Sequence, residues 1–247
     1  GATLVAEAKC FRAWNYFFLV KLFGDVPFYT EPSSVENLML ERTAKATIYA
    51  QIEADLKDAV ANLPAKTFGE NGHRATKYAA AMILADVYFY QGKNADAAAA
   101  IKTVLSSEHA LTAHKTAITA ANYEETKLES AWNQLRTTDD LAETIYAYEY
   151  DGSVSKASRW SPMAFDSSIL AFGNACKYSI AERIYGAEPY YLNVYEEGDM
   201  RALPNQFYHW TFTNPNDETQ VWDRTEEEGP GAWYFYTYED MFVNGYS

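Results

Sequence analysis

The stretch NYFFLVKLFGDVPFYTEP, Asn15 to Pro32, decides which fold this chain adopts. Between Phe11 and Phe23 the sequence is apolar except for Arg12, Asn15 and Lys21. A membrane-spanning helix needs about 20 mostly apolar residues, and charged residues interrupt every such window here. No basic region precedes the apolar run and no small-residue cleavage site follows it, so it does not read as a secretory signal. The pattern predicts a helix buried among other helices.

The first 108 residues carry apolar side chains at helical spacing and predict four helices. Helix one is predicted from about Leu4 to Phe23, with Gly24 as its C-terminal cap and Pro27 just beyond. Helix two ends at Pro64, and its apolar face contains Ile48, Ile52, Leu56, Ala59, Val60 and Leu63. Its other face carries Gln51, Glu53, Asp55, Lys57 and Asp58.

Helices three and four are predicted to form an αα-hairpin. Thr76 is a candidate cap for helix three, Gly92 ends that helix, and Asn94 is a candidate cap for helix four. The tetratricopeptide pattern has a large–small apolar pair, an aromatic residue, a turn glycine, an alanine and a large residue. The matching positions are Leu84, Ala85, Tyr88, Gly92, Ala97 and Ile101. Any tight αα-hairpin would share part of this pattern, so both interpretations stay open.

The charge and the cysteines limit the classes of partner and environment. The chain has 34 acidic and 20 basic residues, a formal net charge of −14, and no local cluster of Lys or Arg. Such a surface repels phosphate backbones, so nucleic-acid binding is not expected. Cys10 and Cys176 do not make a disulfide framework, and Cys10 lies in an apolar pattern typical of a buried free thiol.

The character of the sequence changes after about Leu111. Five of the six Trp and fourteen of the twenty Tyr lie beyond this point, which indicates an aromatic, loop-rich subdomain on a helical scaffold. We predict a mainly α fold, with residues 1–110 as a tetratricopeptide-like scaffold and residues 111–247 as a ligand-binding subdomain with a few short strands. The strands are predicted at Glu143–Asp151 (ETIYAYEYD) and Gln206–Asn214 (QFYHWTFTN).

Aromatic residues outside the predicted core pattern are candidate ligand platforms. Sugars present apolar C–H faces flanked by hydroxyl groups, so a sugar site combines flat aromatic rings with hydrogen-bonding side chains. The candidate aromatic residues are Trp160, Tyr178, Tyr190, Tyr191, Trp210 and Trp222. Candidates for polar contacts are Arg159, Asn174 and Asn193. The alternative is that each ring packs inside the subdomain.

No catalytic motif is present in the sequence. The nucleophile-elbow, P-loop and dinucleotide-binding patterns are absent, and the four histidines are dispersed, so we expect no enzymatic activity and no cofactor. The acidic run Asn214–Glu228 (NPNDETQVWDRTEEE) contains oxygen ligands suited to structural calcium. It lacks the glycine of an EF-hand loop, and a solvated acidic loop is the favoured interpretation.

Several segments together resemble one known family. AEAKCFRAWNYFFLVKLFGDVPFYTEP resembles the signature helix and Gly-Asp-Val-Pro turn of SusD/RagB-family outer-membrane binding proteins of Bacteroidetes. In the same order, TIYAQIEADLKDAVANLP resembles the next helix of the family, and GHRATKYAAAMILADVYFYQGKNADAAAAIKTVLSS its tetratricopeptide-type helix pair. ETIYAYEYD and YEEGDMR resemble later family segments.

The resemblance implies a cell-surface nutrient-binding protein anchored by a lipid in the outer membrane. It implies capture of oligosaccharides without catalysis and their delivery to a SusC-like TonB-dependent transporter. Peptide binding, as in RagB-type relatives, and a pure tetratricopeptide-type interaction scaffold are the alternatives. By the same resemblance the chain is expected to lack its N- and C-terminal parts. Cys10 is not expected to be the anchor cysteine, because Glu7-Ala8-Lys9 before it does not fit a lipobox, so the anchor cysteine is expected upstream.

Overall fold

The computed structural model describes residues 1–32, 40–119, 121–126, 129–131, 134–135, 138–149, 193–196, 199, 208–209, 211–214, 216–223 and 232–233. Within these residues the chain is mainly helical, as predicted, and its strands are short. The chain divides into two compact units. The helical unit contains Gly1–Ala117 and Thr126–Tyr148, and the second unit contains Ile118–Glu125 and Glu149–Ser247.

Helix α1, Ala2–Phe23, confirms the first predicted helix. Its buried residues recur every three or four positions and form one stripe, which contains Ala6, Cys10, Ala13, Phe17 and Val20. Gly24 follows with φ 69°, a left-handed conformation that favours glycine, and its N–H donates to the Val20 carbonyl at 3.1 Å. Only one face of this helix is therefore part of the protein core. The predicted burial among other helices is wrong for the remaining faces, because Phe18, Leu22 and Phe23 are each more than half exposed.

The Gly-Asp-Val-Pro turn after α1 positions the start of helix α2, Lys45–Asn62. Asp25 accepts a hydrogen bond from the backbone N–H of Lys45 at 2.8 Å, and a carboxylate is favourable there because helix N-termini carry free N–H groups. Thr43 donates its backbone N–H to the Val26 carbonyl at 2.9 Å, which makes an isolated antiparallel bridge. Two hydrogen bonds thus hold the turn after α1 against the residues at the start of α2.

Helices α1 and α2 pack against each other in antiparallel directions. Lys9 pairs with Asp58 near one end, with 3.1 Å between Nζ and Oδ2, and the rings of Phe17 and Tyr49 lie 6.4 Å apart near the other end. Helix α2 contributes the predicted apolar residues to this core, namely Ile48, Ile52, Leu56 and Ala59, with Val60 partly buried and Leu63 buried after the helix. The predicted apolar face of the second helix is confirmed.

Asp55 lies on the polar face of α2, and yet it is buried. Asp55 is only 2% exposed, because its carboxylate pairs with Arg12 on α1. Arg12 donates two hydrogen bonds to it, from Nη2 to Oδ1 at 2.7 Å and from Nε to Oδ2 at 2.8 Å, and Gln51 donates a third at 2.9 Å. Arg12 also donates to the Thr30 carbonyl at 3.2 Å. A bidentate pair of this kind joins two helices and the segment after α1.

Helices α3, Lys77–Tyr90, and α4, Asn94–Leu105, form the predicted αα-hairpin. Thr76 caps α3 as predicted, since its Oγ1 accepts the Ala79 N–H at 3.1 Å. Gly92 adopts φ 75° at the turn. Four positions of the tetratricopeptide pattern are buried, namely Leu84, Ala85, Tyr88 and Ala97.

The predicted cap of α4 is wrong. The helix begins at Asn94 itself, and Lys93 occupies the capping position without a side-chain hydrogen bond. Asp96 in the first turn supplies negative charge at this helix N-terminus instead, where the helix dipole favours it. The tight turn at Gly92 leaves one residue between glycine and helix, which places Asn94 inside the helix.

The first predicted strand, Glu143–Asp151, is wrong over its described part, because residues 143–149 have no strand pairing. A strand needs a hydrogen-bonded neighbour, and the tyrosines of this segment pack on a helix instead. Thr112 donates its backbone N–H to Glu143 Oε2 at 2.7 Å, and Ala110 donates to the Ala142 carbonyl at 3.2 Å. The segment is therefore an irregular chain held by side-chain packing and a few backbone contacts.

The second predicted strand is confirmed and divides into two parts. Strand β1, Tyr208–His209, pairs antiparallel with β4, Ala232–Trp233. Strand β2, Thr211–Asn214, pairs antiparallel with β3, Asp217–Asp223. A 3₁₀ turn at Gly69–Asn71 and the short helix α5, Tyr123–Thr126, complete the described elements.

The solvated acidic loop predicted at Asn214–Glu228 is wrong where the structure describes it, because Asp217–Asp223 is strand β3. Asn214 is 5% exposed, donates to Gln220 Oε1 at 3.0 Å and accepts the Asn216 N–H at 2.9 Å. Asp217 accepts hydrogen bonds from Thr219, which lower the pKa of its carboxyl. These side chains close a hairpin turn, and residues 224–228 lie outside the described residues.

Candidate functional site

The six predicted platform residues are not tested by the described part of the chain. Trp160, Tyr178, Tyr190, Tyr191 and Trp210 lie outside it, as do Arg159 and Asn174. Trp222 lies in β3 opposite Phe212, and its side chain also lies outside the description. Asn193 is described and exposed. These residues stay predictions.

The structure instead brings together an aromatic cluster that the sequence reasoning missed. We call it the Tyr146 cluster, and it contains Phe11, Trp14, Phe68, Tyr146 and Tyr148. The Tyr146 ring stands edge-on to Trp14 at 5.2 Å, to Phe68 at 5.1 Å and to Phe11 at 6.4 Å between centroids. Tyr148 lies 5.6 Å from Trp14 at an interplanar angle of 38°, and 6.0 Å from Tyr146. Edge-to-face and tilted pairs at these distances are favourable.

The cluster runs from the core of the helical unit to its surface. Phe68 is 2% exposed at its base, Trp14 and Tyr146 are half-buried, and Tyr148 is 71% exposed at its outer end. Phe11 and Trp14 lie on one face of α1 because they are three positions apart. The alternating tyrosines of IYAYEY were the sequence signal that could have indicated this cluster. Their spacing, however, predicts a strand as readily as an irregular segment that packs on a helix.

Two residues in left-handed conformations hold this segment against the helices. His73, φ 58°, stacks on Phe68 with centroids 5.1 Å apart and an 11° angle between the rings. Its Nε2 lies 3.1 Å from the carboxylate of Asp140, which has φ 57°. A Cβ at Gly69 would come within 2.6 Å of the Asp140 carboxyl group, so a larger residue there would require the Asp140 side chain to move. The contact between His73 and Asp140 thereby links the chain before Tyr146 to the loop that precedes α3.

A groove of about 530 Å³ adjoins the cluster between α1, α3 and α4. Its lining is mostly apolar and includes Trp14, Phe17, Met82, Ile83, Phe89 and Ile101. Trp14 belongs to both the groove and the Tyr146 cluster. Lys21 and Asp86 are the charged residues of the lining. The Lys21 ammonium lies 4.2 Å from the centroid of the Phe17 ring, a cation–π contact.

Several groups outside the groove have shifted pKa values, and three of them lie in α1 and α2. Burial raises the pKa of the Cys10 thiol to about 12, so the predicted buried free thiol is confirmed and is not a nucleophile at neutral pH. Burial also raises the pKa of Tyr49. At Glu53 burial opposes ionisation, but hydrogen bonds from Lys93 and Gln91 outweigh it and the pKa is lowered.

The described residues contain neither a metal-binding cluster nor a membrane-spanning helix. Among them, no group of three His, Cys, Asp or Glu side chains is placed to hold a metal ion. No described helix is both long and apolar enough to cross a membrane.

The helical part of the chain is similar to proteins of the SusD-like family. Residues 2–89 match the SusD-like family model described as starch-binding and associating with the outer membrane, which confirms the resemblance seen in the sequence. A SusD-like protein of Formosa agariphila is 38% identical over 89 residues, which cover 36% of this chain and 17% of that protein. A second one from the same organism is 28% identical over 98% of this chain and 43% of its own length. The chain thus spans less than half the length of either curated relative.

Solved structures show the same fold. A SusD-like protein from Bacteroides fragilis matches with a TM-score of 0.51 and 26% identity, over 61% of this chain and 28% of that one. A laminarin-binding SusD-like protein matches over 99% of this chain and 51% of its own, with a TM-score of 0.56 and 22% identity. Surface glycan-binding protein A from Bacteroides uniformis matches over 95% and 51%, with a TM-score of 0.58 and 18% identity. The mainly helical SusD-like fold is therefore established for this chain.

Proposed function

We propose that this chain is part of a non-catalytic, cell-surface protein that binds oligosaccharides. The observation that carries the proposal is the match of residues 2–89 to a family described as starch-binding and associating with the outer membrane. The fold is shared with proteins named for binding laminarin and surface glycans. The aromatic content of the chain, with 6 Trp and 20 Tyr, suits a ligand that stacks on flat rings.

The full proposal places the protein on the outer face of the outer membrane, held there by a lipid anchor. It would pass its ligand to a SusC-like TonB-dependent transporter. Binding next to a transporter raises the local ligand concentration, so a weak site is enough for uptake. Residues 1–110 would serve as the scaffold and residues 111–247 as the main ligand-binding part, with Trp160, Tyr178, Tyr190, Tyr191, Trp210 and Trp222 as its candidate platforms.

The ligand class is tested by affinity electrophoresis of the 247-residue chain in gels containing soluble starch or laminarin, followed by a glycan array. We expect retarded migration in at least one glucan gel, because neutral glucans offer apolar faces without charge repulsion from an acidic surface. Absence of binding to every glycan would refute carbohydrate capture. The transporter step is tested separately, by asking whether a TonB-dependent transporter co-purifies with the protein from outer membranes.

A peptide ligand is the second candidate, and the groove between α1, α3 and α4 favours it. Its lining is mostly apolar, and only Lys21 and Asp86 are charged, a composition that suits apolar peptide side chains better than sugar hydroxyl groups. Isothermal titration with a mixed peptide library decides between the two. Micromolar binding of peptides together with absent glycan binding would replace the carbohydrate proposal.

A further inference from the structure

We infer that Trp14 and Tyr148 form a stacking site for a neutral pyranose residue on the helical unit. This inference rests on the proposed carbohydrate-binding function. It adds to the six candidate platform residues a site that lies within the helical unit. The ligand class is a neutral oligosaccharide, of which one sugar ring would cover the exposed tyrosine ring.

The first argument is the exposure of an aromatic side chain that is nevertheless held in place. Tyr148 is 71% exposed, yet it contacts Trp14 at 5.6 Å and Tyr146 at 6.0 Å between ring centroids. A ring fixed in this way loses little conformational freedom when a ligand covers it, so its apolar surface is available at low entropic cost. Such pre-organisation distinguishes it from isolated exposed residues such as Phe23 at the end of α1.

The second argument is the support beneath the two outer rings. Tyr146 stands nearly perpendicular to both, at 74° to Trp14 and at 87° to Tyr148, and it lies edge-on to the buried Phe68. The side chain that orients the outer rings is thus itself fixed to the core. Core packing alone would explain Phe68 and Tyr146, but it does not require Tyr148 to remain at the surface.

The third argument concerns the polar partners that a sugar needs. Trp14 also lines the groove, where Lys21 is a hydrogen-bond donor and Asp86 an acceptor, both exposed. A chain of sugar residues that stacks on Tyr148 and continues past Trp14 would meet these groups. The net charge of −14 disfavours acidic sugars and leaves neutral ones as the fitting class.

The test uses the 247-residue chain and isothermal titration with maltoheptaose and laminarihexaose. Tyr148→Ala should weaken binding of the recognised glucan about three- to tenfold, the range that aromatic contacts contribute. Tyr148→Phe should keep binding within about twofold because it retains the ring. Trp14→Ala should also weaken binding, with its folding checked by circular dichroism.

The matched control is Phe23→Ala, which removes an exposed aromatic ring of α1 outside the cluster and should leave binding unchanged. If the parent chain binds a glucan and folded Tyr148→Ala binds it equally well, the inference is wrong while the proposed function stands. If the parent chain binds no glucan at all, the proposed function fails and the inference fails with it.

Discussion

The ion pair between Arg12 and Asp55 shows how strongly a single charged residue can contribute to this helical core. Asp55 is 3% exposed at its side chain, whereas Arg12 is 27% exposed and keeps access to water. Removing one partner therefore has unequal consequences. Loss of the arginine leaves a buried carboxylate without its charged partner, whereas loss of the carboxylate charge leaves an arginine that water can still reach.

We predict that Arg12→Ala lowers the free energy of unfolding by about 3 kcal/mol and Asp55→Asn by about 1–2 kcal/mol. Urea titrations monitored by circular dichroism at neutral pH measure both. The control is Lys9→Ala, since the Lys9–Asp58 pair is more than one-third exposed and should contribute less than about 1 kcal/mol. Equal losses for Arg12→Ala and Lys9→Ala would contradict this account.

Glu53 gives the contact between α2 and the α3–α4 turn a dependence on pH. Its pKa is lowered because hydrogen bonds from Lys93 and Gln91 favour the charged form more than burial disfavours it. A lowered folded-state pKa means that the stabilisation is complete above the ordinary carboxyl pKa of 4.5 and is lost as the pH falls through the folded value. The free energy of unfolding should therefore decrease as the pH falls below the ordinary carboxyl pKa of 4.5.

The variant Glu53→Gln should show a smaller loss of stability than the parent chain between about pH 6 and pH 3, because it lacks this titrating group. Melting temperatures across that range provide the measurement. Glu108→Gln changes an exposed residue of the same unit and should follow the parent curve. A parallel curve for Glu53→Gln would mean that the Lys93 contact contributes no stability.

The elements show which parts of this fold can be predicted from sequence. Helices α1 to α4 follow from local signals, namely apolar periodicity, the Thr76 cap, and the glycines that end two helices. The burial of Asp55 could not be predicted, because its partner Arg12 lies 43 residues away and local spacing cannot reveal it. The segment around Tyr146 was wrongly predicted as a strand, because alternation of apolar residues with period two does not show whether the segment pairs with another strand or packs its side chains on a helix.

At the level of the αα-hairpin, Gly92 is the residue on which the turn depends. It has φ 75°, and Lys93 donates its N–H to the Tyr88 carbonyl at 2.9 Å across the turn. Gly92→Ala should lower the free energy of unfolding by about 1–2 kcal/mol, because a Cβ disfavours this conformation. Gly92→Asn should cost less, since asparagine tolerates the left-handed region better. Thermal unfolding of the two variants tests the order, and an alanine variant as stable as the parent would show that the turn can relax.

At the scale of the whole molecule, the four helices of the helical unit depend on a segment that follows them in sequence. Gly1–Ala117 supplies the four helices, but Thr126–Tyr148 returns to the same compact unit. Tyr146 contacts Phe11 and Trp14 from α1 and the buried Phe68, while His73 contacts Asp140 within the segment. The candidate sugar site in the helical unit therefore exists only when the returning segment is in place.

This arrangement predicts different roles for two tyrosines that are two residues apart. Tyr146→Ala should lower the free energy of unfolding by about 2 kcal/mol, less than a fully buried ring would cost because Tyr146 is half-buried. Tyr148→Ala should change it by less than about 0.5 kcal/mol, as is usual for an exposed side chain. Urea unfolding monitored by tryptophan fluorescence measures both losses. Should the two substitutions destabilise the protein equally, Tyr148 would be a packing residue, and its availability to a ligand would have to be abandoned.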